Sequence, residues 1–147
     1  MASSLIAQEE LYWVSEKLKL ENLCYGDLHN SNVSLWKFDS DGETLGFYGF
    51  EIYGKDALLR SVVVVNAERR MHGLGTEIVL ESFGKAGELG ISNLYLLTFT
   101  AKGFFEKLGF SEIDRKSVPD SIASTEEFAN FCPDTAVCMT IKVNHGK

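Results

Sequence analysis

The first apolar period in the chain is helical. Leu11, Val14 and Leu18 share one face, with Glu9, Glu10, Glu16 and Lys17 around them. This spacing predicts an amphipathic helix near the N-terminus, with Ser4 as its N-cap. Almost nothing precedes that helix, so a strand ahead of it is expected to be missing or very short. Cys24 to Asn32 reads as a loop. Beyond it the period drops to two. Val33 to Phe38 is a strand, Asp39-Ser40-Asp41-Gly42 a turn, and Leu45 to Tyr53 the returning strand of a hairpin. A second turn at Gly54-Lys55-Asp56 leads into Leu58 to Val65. The four consecutive valines Val62 to Val65 predict burial on both faces.

The helical period returns from Gly75 to Glu88, with Val79, Phe83 and Ala86 as its apolar stripe and Gly90 as its stop. Leu94 to Thr98 is a further buried strand. Ala101 to Leu108 is a short helix with Phe104, Phe105 and Leu108 facing inward. Gly109 ends it and Phe110 starts the next strand. Ser117 to Asn130 is polar and holds a short helix or two, and Ala136 to Val143 closes the chain as a strand. This order predicts an α/β domain on a mixed sheet, with a βαβ unit in the middle. No repeat, low-complexity tract or linker interrupts it, and 147 residues suit one domain, residues 1–147, with one core.

Composition narrows the function classes. A net charge of −7 argues against a nucleic-acid partner, because a phosphate backbone needs a basic surface. It leaves room for a local basic pocket that takes a small anion. No apolar run reaches the roughly 20 residues that a bilayer crossing needs, so no membrane partner is expected. No basic segment followed by an apolar one opens the chain, so no secretory signal is expected. Cys24, Cys132 and Cys138 form no regular framework and suit free thiols in a reducing cytoplasm. Cys132 and Cys138 are spaced more widely than a usual zinc pair, and no metal is assigned.

The segment richest in chemistry is Arg69-Arg70-Met71-His72-Gly73-Leu74-Gly75-Thr76, between a buried strand and a helix. Gly73 and Gly75 let the backbone turn tightly and approach a ligand without a Cβ in the way. The following helix directs unpaired N–H groups and the positive end of its dipole at the turn, which suits phosphate. A glycine-rich connection without a ligand is the plain alternative. A Walker loop fails for want of Gly-Lys-Ser/Thr. A dinucleotide-binding turn fails for want of a third glycine and a later acidic residue.

Arg70-x-x-Gly73-x-Gly75 resembles the pyrophosphate signature of the GNAT N-acetyltransferases. Leu59-Arg60-Ser61-Val62-Val63-Val64 ahead of it resembles the strand of that family. So do Leu94-Tyr95-Leu96-Leu97-Thr98 and Ala101-x-x-Phe104-Phe105-x-x-x-Gly109-Phe110 behind it. The likeness covers roughly Leu45 to Phe110. The resemblance implies a GNAT fold, a mixed central sheet with flanking helices, and acetyl-CoA as co-substrate. It implies that Val62, Val63 and Val64 hold the pantetheine arm. Arg70, Met71, His72, Gly73, Leu74, Gly75 and Thr76 would hold the pyrophosphate, with Phe104 and Phe105 beside the cofactor tail. Gly49-Phe50-Glu51, Ala57 to Ser61, and the stretch from Pro119 to Met139 are similar to the arsenic-resistance-associated branch, akin to phosphinothricin and amino-acid N-acetyltransferases. That branch implies an amino-acid-like toxin as acceptor.

The implied reaction needs a neutral amine, hence a base or a desolvating site. Glu51 is the candidate base and Ser61 a second catalytic candidate. For Glu51 the plain alternative is a paired or solvent-facing carboxylate on a strand. Arg60 either clamps an anionic group of the substrate or forms a salt bridge, with Glu51 as a natural partner. Thr98 and Thr100 are candidate substrate contacts. Many GNAT members carry a tyrosine that protonates the leaving thiolate; Phe105 occupies the matching place and has no proton to give. Two other functions stay open beside the small-molecule enzyme: a non-catalytic acyl-CoA-binding regulatory domain and a protein N-acetyltransferase. The short N-terminus either leaves part of the acceptor side open or has it covered by a partner chain, so a homodimer stays open.

Overall fold

The structure, a computed structural model, describes residues 2–65, 73–131 and 136–143. Its elements fall into two compact units, Met1–Glu51 with Leu59–Lys85 and Ile52–Leu58 with Ala86–Lys147. Strands β3, Glu43–Tyr53, and β4, Asp56–Val64, each run through both. Together the units carry a seven-stranded mixed sheet with flanking helices.

In the first unit, β1, Ala2–Leu5, pairs antiparallel with β2, Val33–Ser40, from Ala2 opposite Asp39 to Leu5 opposite Trp36. The first strand is therefore present and four residues long. Ser4 lies in it opposite Lys37 and caps no helix, which corrects the expectation from sequence. The reason is polar. Tyr48 Oη donates to Ser3 Oγ at 2.8 Å, and Ser3 Oγ donates to Glu81 Oε2 at 2.6 Å. A hydroxyl chain leaves no trace in hydropathy. Helix α1, Leu11–Leu20, follows a 3₁₀ turn at Gln8–Glu10. Ala7 stands at the N-cap, and Glu10 Oε1 accepts from the Ala7 N–H at 2.9 Å, the backward half of a capping box. The predicted stripe is real, since Val14 and Leu18 are buried among Ile6, Leu28, Leu35, Phe47 and Val63.

Strands β2 and β3 close through two left-handed residues, Asp41 at φ 52° and Gly42 at φ 78°. That is the twist a two-residue hairpin requires. Helix α2, Leu74–Glu88, presses on β3 at Gly46. A Cβ there would lie 2.4 Å from Ile78 Cδ1 and 2.4 Å from the Val63 carbonyl oxygen, so only glycine fits.

In the second unit, β4 starts parallel to β5, Asn93–Thr98, over the pairs from Asp56 with Asn93 to Leu58 with Tyr95. Strand β5 pairs antiparallel with β7, Val137–Lys142, which pairs with β6, Ser111–Ile113. Leu58, Val118, Ile122, Phe128 and Cys138 form the buried cluster. Val118, Ile122 and Phe128 come from the polar stretch read as short helices. That stretch holds a 3₁₀ turn at Arg115–Ser117, helix α4 at Asp120–Ala123, and one π-helical turn at Glu127–Phe131. Helix α3, Lys102–Lys107, buries no residue, and Phe104, Phe105 and Leu108 are half-buried. The inward face expected there is only partly inward, because six residues give too little length to seal both rings.

Candidate active site

The backbone of β4 is where the first unit departs from regularity. Ser61 sits inside the strand at φ 61°, a left-handed conformation that costs a non-glycine residue roughly 1–2 kcal/mol. It is also buried. Val63 and Val64 beyond it are buried, and Val62 and Val65 half-buried. The valine run is thus less uniformly enclosed than four apolar residues in a row suggest. The Val65 N–H donates to the Leu45 carbonyl at 3.0 Å, which holds the end of the strand in place.

Arg70, Met71 and His72 lie outside the described residues. The turn reappears at Gly73, whose φ of 78° is open to glycine and strained for other residues. Leu74 is buried and starts α2, and Gly75 and Thr76 lie half-buried in the first turn. The Glu77 N–H bonds back to the Gly73 carbonyl at 3.2 Å. A 15-residue helix begins at Leu74, where the sequence predicts a helix start after the glycine turn.

Arg60 is the centre of a buried polar network. Its Nη1 donates to Asp27 Oδ2 at 2.7 Å and Nη2 to Asp27 Oδ1 at 2.7 Å, a two-pronged carboxylate fork. Nη1 also reaches Glu51 Oε1 at 3.2 Å, Nη2 the Cys24 carbonyl at 3.1 Å, and Nε the Ser61 hydroxyl at 3.2 Å. All five guanidinium N–H groups thus have an acceptor in the chain. Glu51 is 1% exposed and Arg60 3%. The Glu51–Arg60 salt bridge weighed from sequence is present, and it ties together two residues singled out for separate roles. Sequence reasoning missed Asp27, which sits 33 positions from Arg60 in a loop with no periodic relation to it. Burial pushes the Asp27 carboxyl up, and the Arg60 guanidinium outweighs that and holds it below the usual carboxylate range. The Cys24 thiol adds a weak donor to Asp27 Oδ1 at 3.5 Å.

The remaining candidates lie in the second unit. Thr98 is buried, and its Oγ1 accepts from the Ala101 N–H at 3.1 Å, which fixes the entry to α3. Thr100 is exposed. Phe104 packs edge-on against Phe105 with ring centroids 5.0 Å apart, and Phe105 against Phe110 at 5.4 Å. Phe99, next to Thr98, is 54% exposed. Burial pushes the Cys138 thiol up to about 11. Among the described residues, no helix is long and apolar enough to cross a membrane, and no group of His, Cys, Asp or Glu is placed to hold a metal ion.

A family model described as an acetyltransferase (GNAT) domain matches residues 31–112. An uncharacterized N-acetyltransferase of Chlorobaculum tepidum is 30% identical over 101 residues, which cover 68% of this chain and 62% of that protein. The chain is similar in fold to N-acetylglutamate synthase from Neisseria gonorrhoeae, solved with coenzyme A and L-arginine, with a TM-score of 0.74 at 15% identity. That match covers 97% of this chain and 33% of the synthase, so the chain spans about a third of it. Tetrahymena GCN5 gives a TM-score of 0.76 at 13% identity, over 100% of this chain and 99% of the other.

Proposed function

The chain belongs to the GNAT acetyltransferase family, and on that premise we propose that it transfers an acetyl group from acetyl-CoA to a primary amine of a small molecule. The observation that carries this reading is the run from a buried valine strand with a left-handed Ser61, through Gly73, into a 15-residue helix. In this reading the backbone of Val62, Val63 and Val64 holds the pantetheine arm. Residues Arg70 to Thr76 hold the pyrophosphate through N–H groups, and Phe104 and Phe105 flank the cofactor.

The amine nitrogen attacks the thioester carbonyl carbon, the C–S bond breaks, CoA leaves as a thiolate, and the nitrogen gives up one proton. Holding both reactants together supplies a large part of the acceleration. Glu51 takes the proton through a water in this reading, and Ser61 shapes the strand beside it. Phe105 has no proton to donate, so the thiolate leaves without help from that position. A thiol is acidic enough for this, with an ordinary pKa near 8.5. The acceptor we propose is an amino-acid-like amine, with an organoarsenical or phosphinothricin as the toxin form. It rests on the resemblance of Gly49 to Glu51 and of Pro119 to Met139 to that branch. Thr98 and Thr100 would contact it. Arg60 would bind its anionic group by exchanging a prong of the Asp27 fork. The free thiols of Cys24 and Cys138 suit a cytoplasmic protein, and a partner chain covering the side beside the short N-terminal strand would make it a homodimer.

One observation favours a second reading, a domain that binds acyl-CoA without turnover: Arg60 already holds Glu51. Melting with and without acetyl-CoA tests the donor site. At about 100 times its dissociation constant the ligand adds roughly 2.7 kcal/mol, several degrees for a chain of this size. No shift would overturn the donor site. Release of CoA thiol with a panel of amino-acid-like amines then separates enzyme from binder; binding without release favours the binder.

A further inference from the structure

The Arg60 network joins a strand to a loop. Its strand end is Ser61, the described non-glycine residue that holds a positive φ inside a strand; the other two such residues, Asn22 and Asp41, lie in turns. Its loop end is Asp27, between α1 and β2, with both carboxylate oxygens on the guanidinium at 2.7 Å. The guanidinium side chain is 1% exposed and the Asp27 side chain 12%. A planar fork with every donor engaged is rigid and directional, unlike an apolar contact, which slides. The strand end is strained. Arg60 Nε donates to the Ser61 hydroxyl at 3.2 Å, so the fork holds the side chain of the strained residue directly. The same loop walls a cavity of about 340 Å³ with Leu28, His29, Asn30 and Ser31, so its order sets the shape of that cavity.

We propose that Arg60 is a positioning residue that couples the β4 backbone at Ser61 to the loop Cys24–Asn32, so that a CoA thioester bound along Val62 to Val64 orders the loop. This rests on the functional reading above. The donor selects the left-handed form of Ser61. Arg60 stays on Ser61 Oγ, and its opposite edge keeps Asp27 and the Cys24 carbonyl in register. Strand and loop thus become one two-state element, which is what coupling between sites requires.

The test is residue-resolved hydrogen exchange on the full chain, with and without acetyl-CoA, and calorimetry on the same samples. In the wild type, amides from Gly26 to Asn32 should exchange roughly ten-fold more slowly with the donor bound, within the usual range for coupled sites. Arg60→Lys keeps the charge and loses the fork. It should lose the donor-dependent protection and weaken acetyl-CoA binding by no more than the coupling itself, up to about ten-fold. Asp27→Asn breaks the coupling from the loop end, and it decides the matter if Arg60→Lys does not fold. A merely structural network would speed exchange in the variants with and without donor and leave the donor-induced ratio unchanged; that result overturns the inference. Donor binding with no loop protection in the wild type overturns it as well and leaves the functional reading intact. Absence of donor binding by calorimetry overturns both.

Discussion

The first unit buries Arg60 and Glu51 almost completely beside Asp27, whereas the second closes over Leu58, Val118, Ile122, Phe128 and Cys138. The first unit has an apolar core of its own around Val14, Leu18 and Phe47, and the ion network is what it adds to that; the two kinds of interior do different work. Apolar packing is non-directional and gains free energy with the area removed from water. A buried ion network costs desolvation, gains little net stability, and permits only the geometry in which every group is partnered. The first unit therefore spends stability on the placement of one loop and one strand, at the residues assigned to chemistry. The second uses apolar side chains to pin a segment with little regular structure. Backbone carbonyls of that segment take side-chain donors: Arg115 Nη2 donates to the Phe128 carbonyl at 2.8 Å, and Thr125 Oγ1 donates to the Ile122 carbonyl at 2.8 Å.

This contrast can be broken by substitution. Arg60→Met leaves Asp27 and Glu51 without their shared cation and should cost about 3–5 kcal/mol, read as a fall in the urea midpoint. Replacing Asp27 and Glu51 by leucine in the same chain should return most of that loss. If Arg60→Met alone costs under about 1 kcal/mol, the ion network does not define the first unit. In the second unit Ile122→Ala removes a fully buried side chain from the cluster and should cost roughly 2–4 kcal/mol. Donor affinity should stay unchanged, because the loss is one of packing. A weakened donor site would show that the two interiors are not separate in function.

The smallest effects have opposite pH signs. The folded pKa of Asp27 lies below its ordinary 3.8, so its contribution is present above 3.8 and is lost as pH falls through the folded value. The stability gap between the wild type and Asp27→Asn should therefore close in acid. Cys138 is an acid raised from 9.0 to about 11, so the unfolded chain ionises first and stability falls as pH climbs between those values. Cys138→Ala should flatten that alkaline slope, by up to roughly 3 kcal/mol. An acid slope that survives Asp27→Asn, or an alkaline one that survives Cys138→Ala, would assign the effect to other groups.

Much of this was legible in the chain. The 3.6-residue stripe Leu11, Val14, Leu18 predicts α1, the pair Asp41-Gly42 predicts the hairpin, and the run Val62 to Val65 followed by Gly73 and Gly75 predicts the end of β4 and the start of α2. These signals are local, because a period or a turn residue acts within a few positions. What was missed is polar and distant. Nothing near Ser3 tells that its hydroxyl will meet Tyr48 and Glu81, so the sequence marks Ser4 as a helix cap, while β1, at four residues, is as short as the sequence predicts. Nothing near Asp27 tells that it will meet Arg60.

Sequence alone thus determined the order of elements, the buried strands and the glycine turn, and through their resemblance the family. The tertiary structure alone decided which carboxylates share Arg60, that Ser61 is left-handed, and that Gly46 must be bare to accept Ile78 and the Val63 carbonyl. The division has one physical cause. Hydrophobic periodicity reports how each residue stands toward a core, whereas hydrogen-bond partners and close approaches are set by three-dimensional distance, which spacing along the chain does not encode.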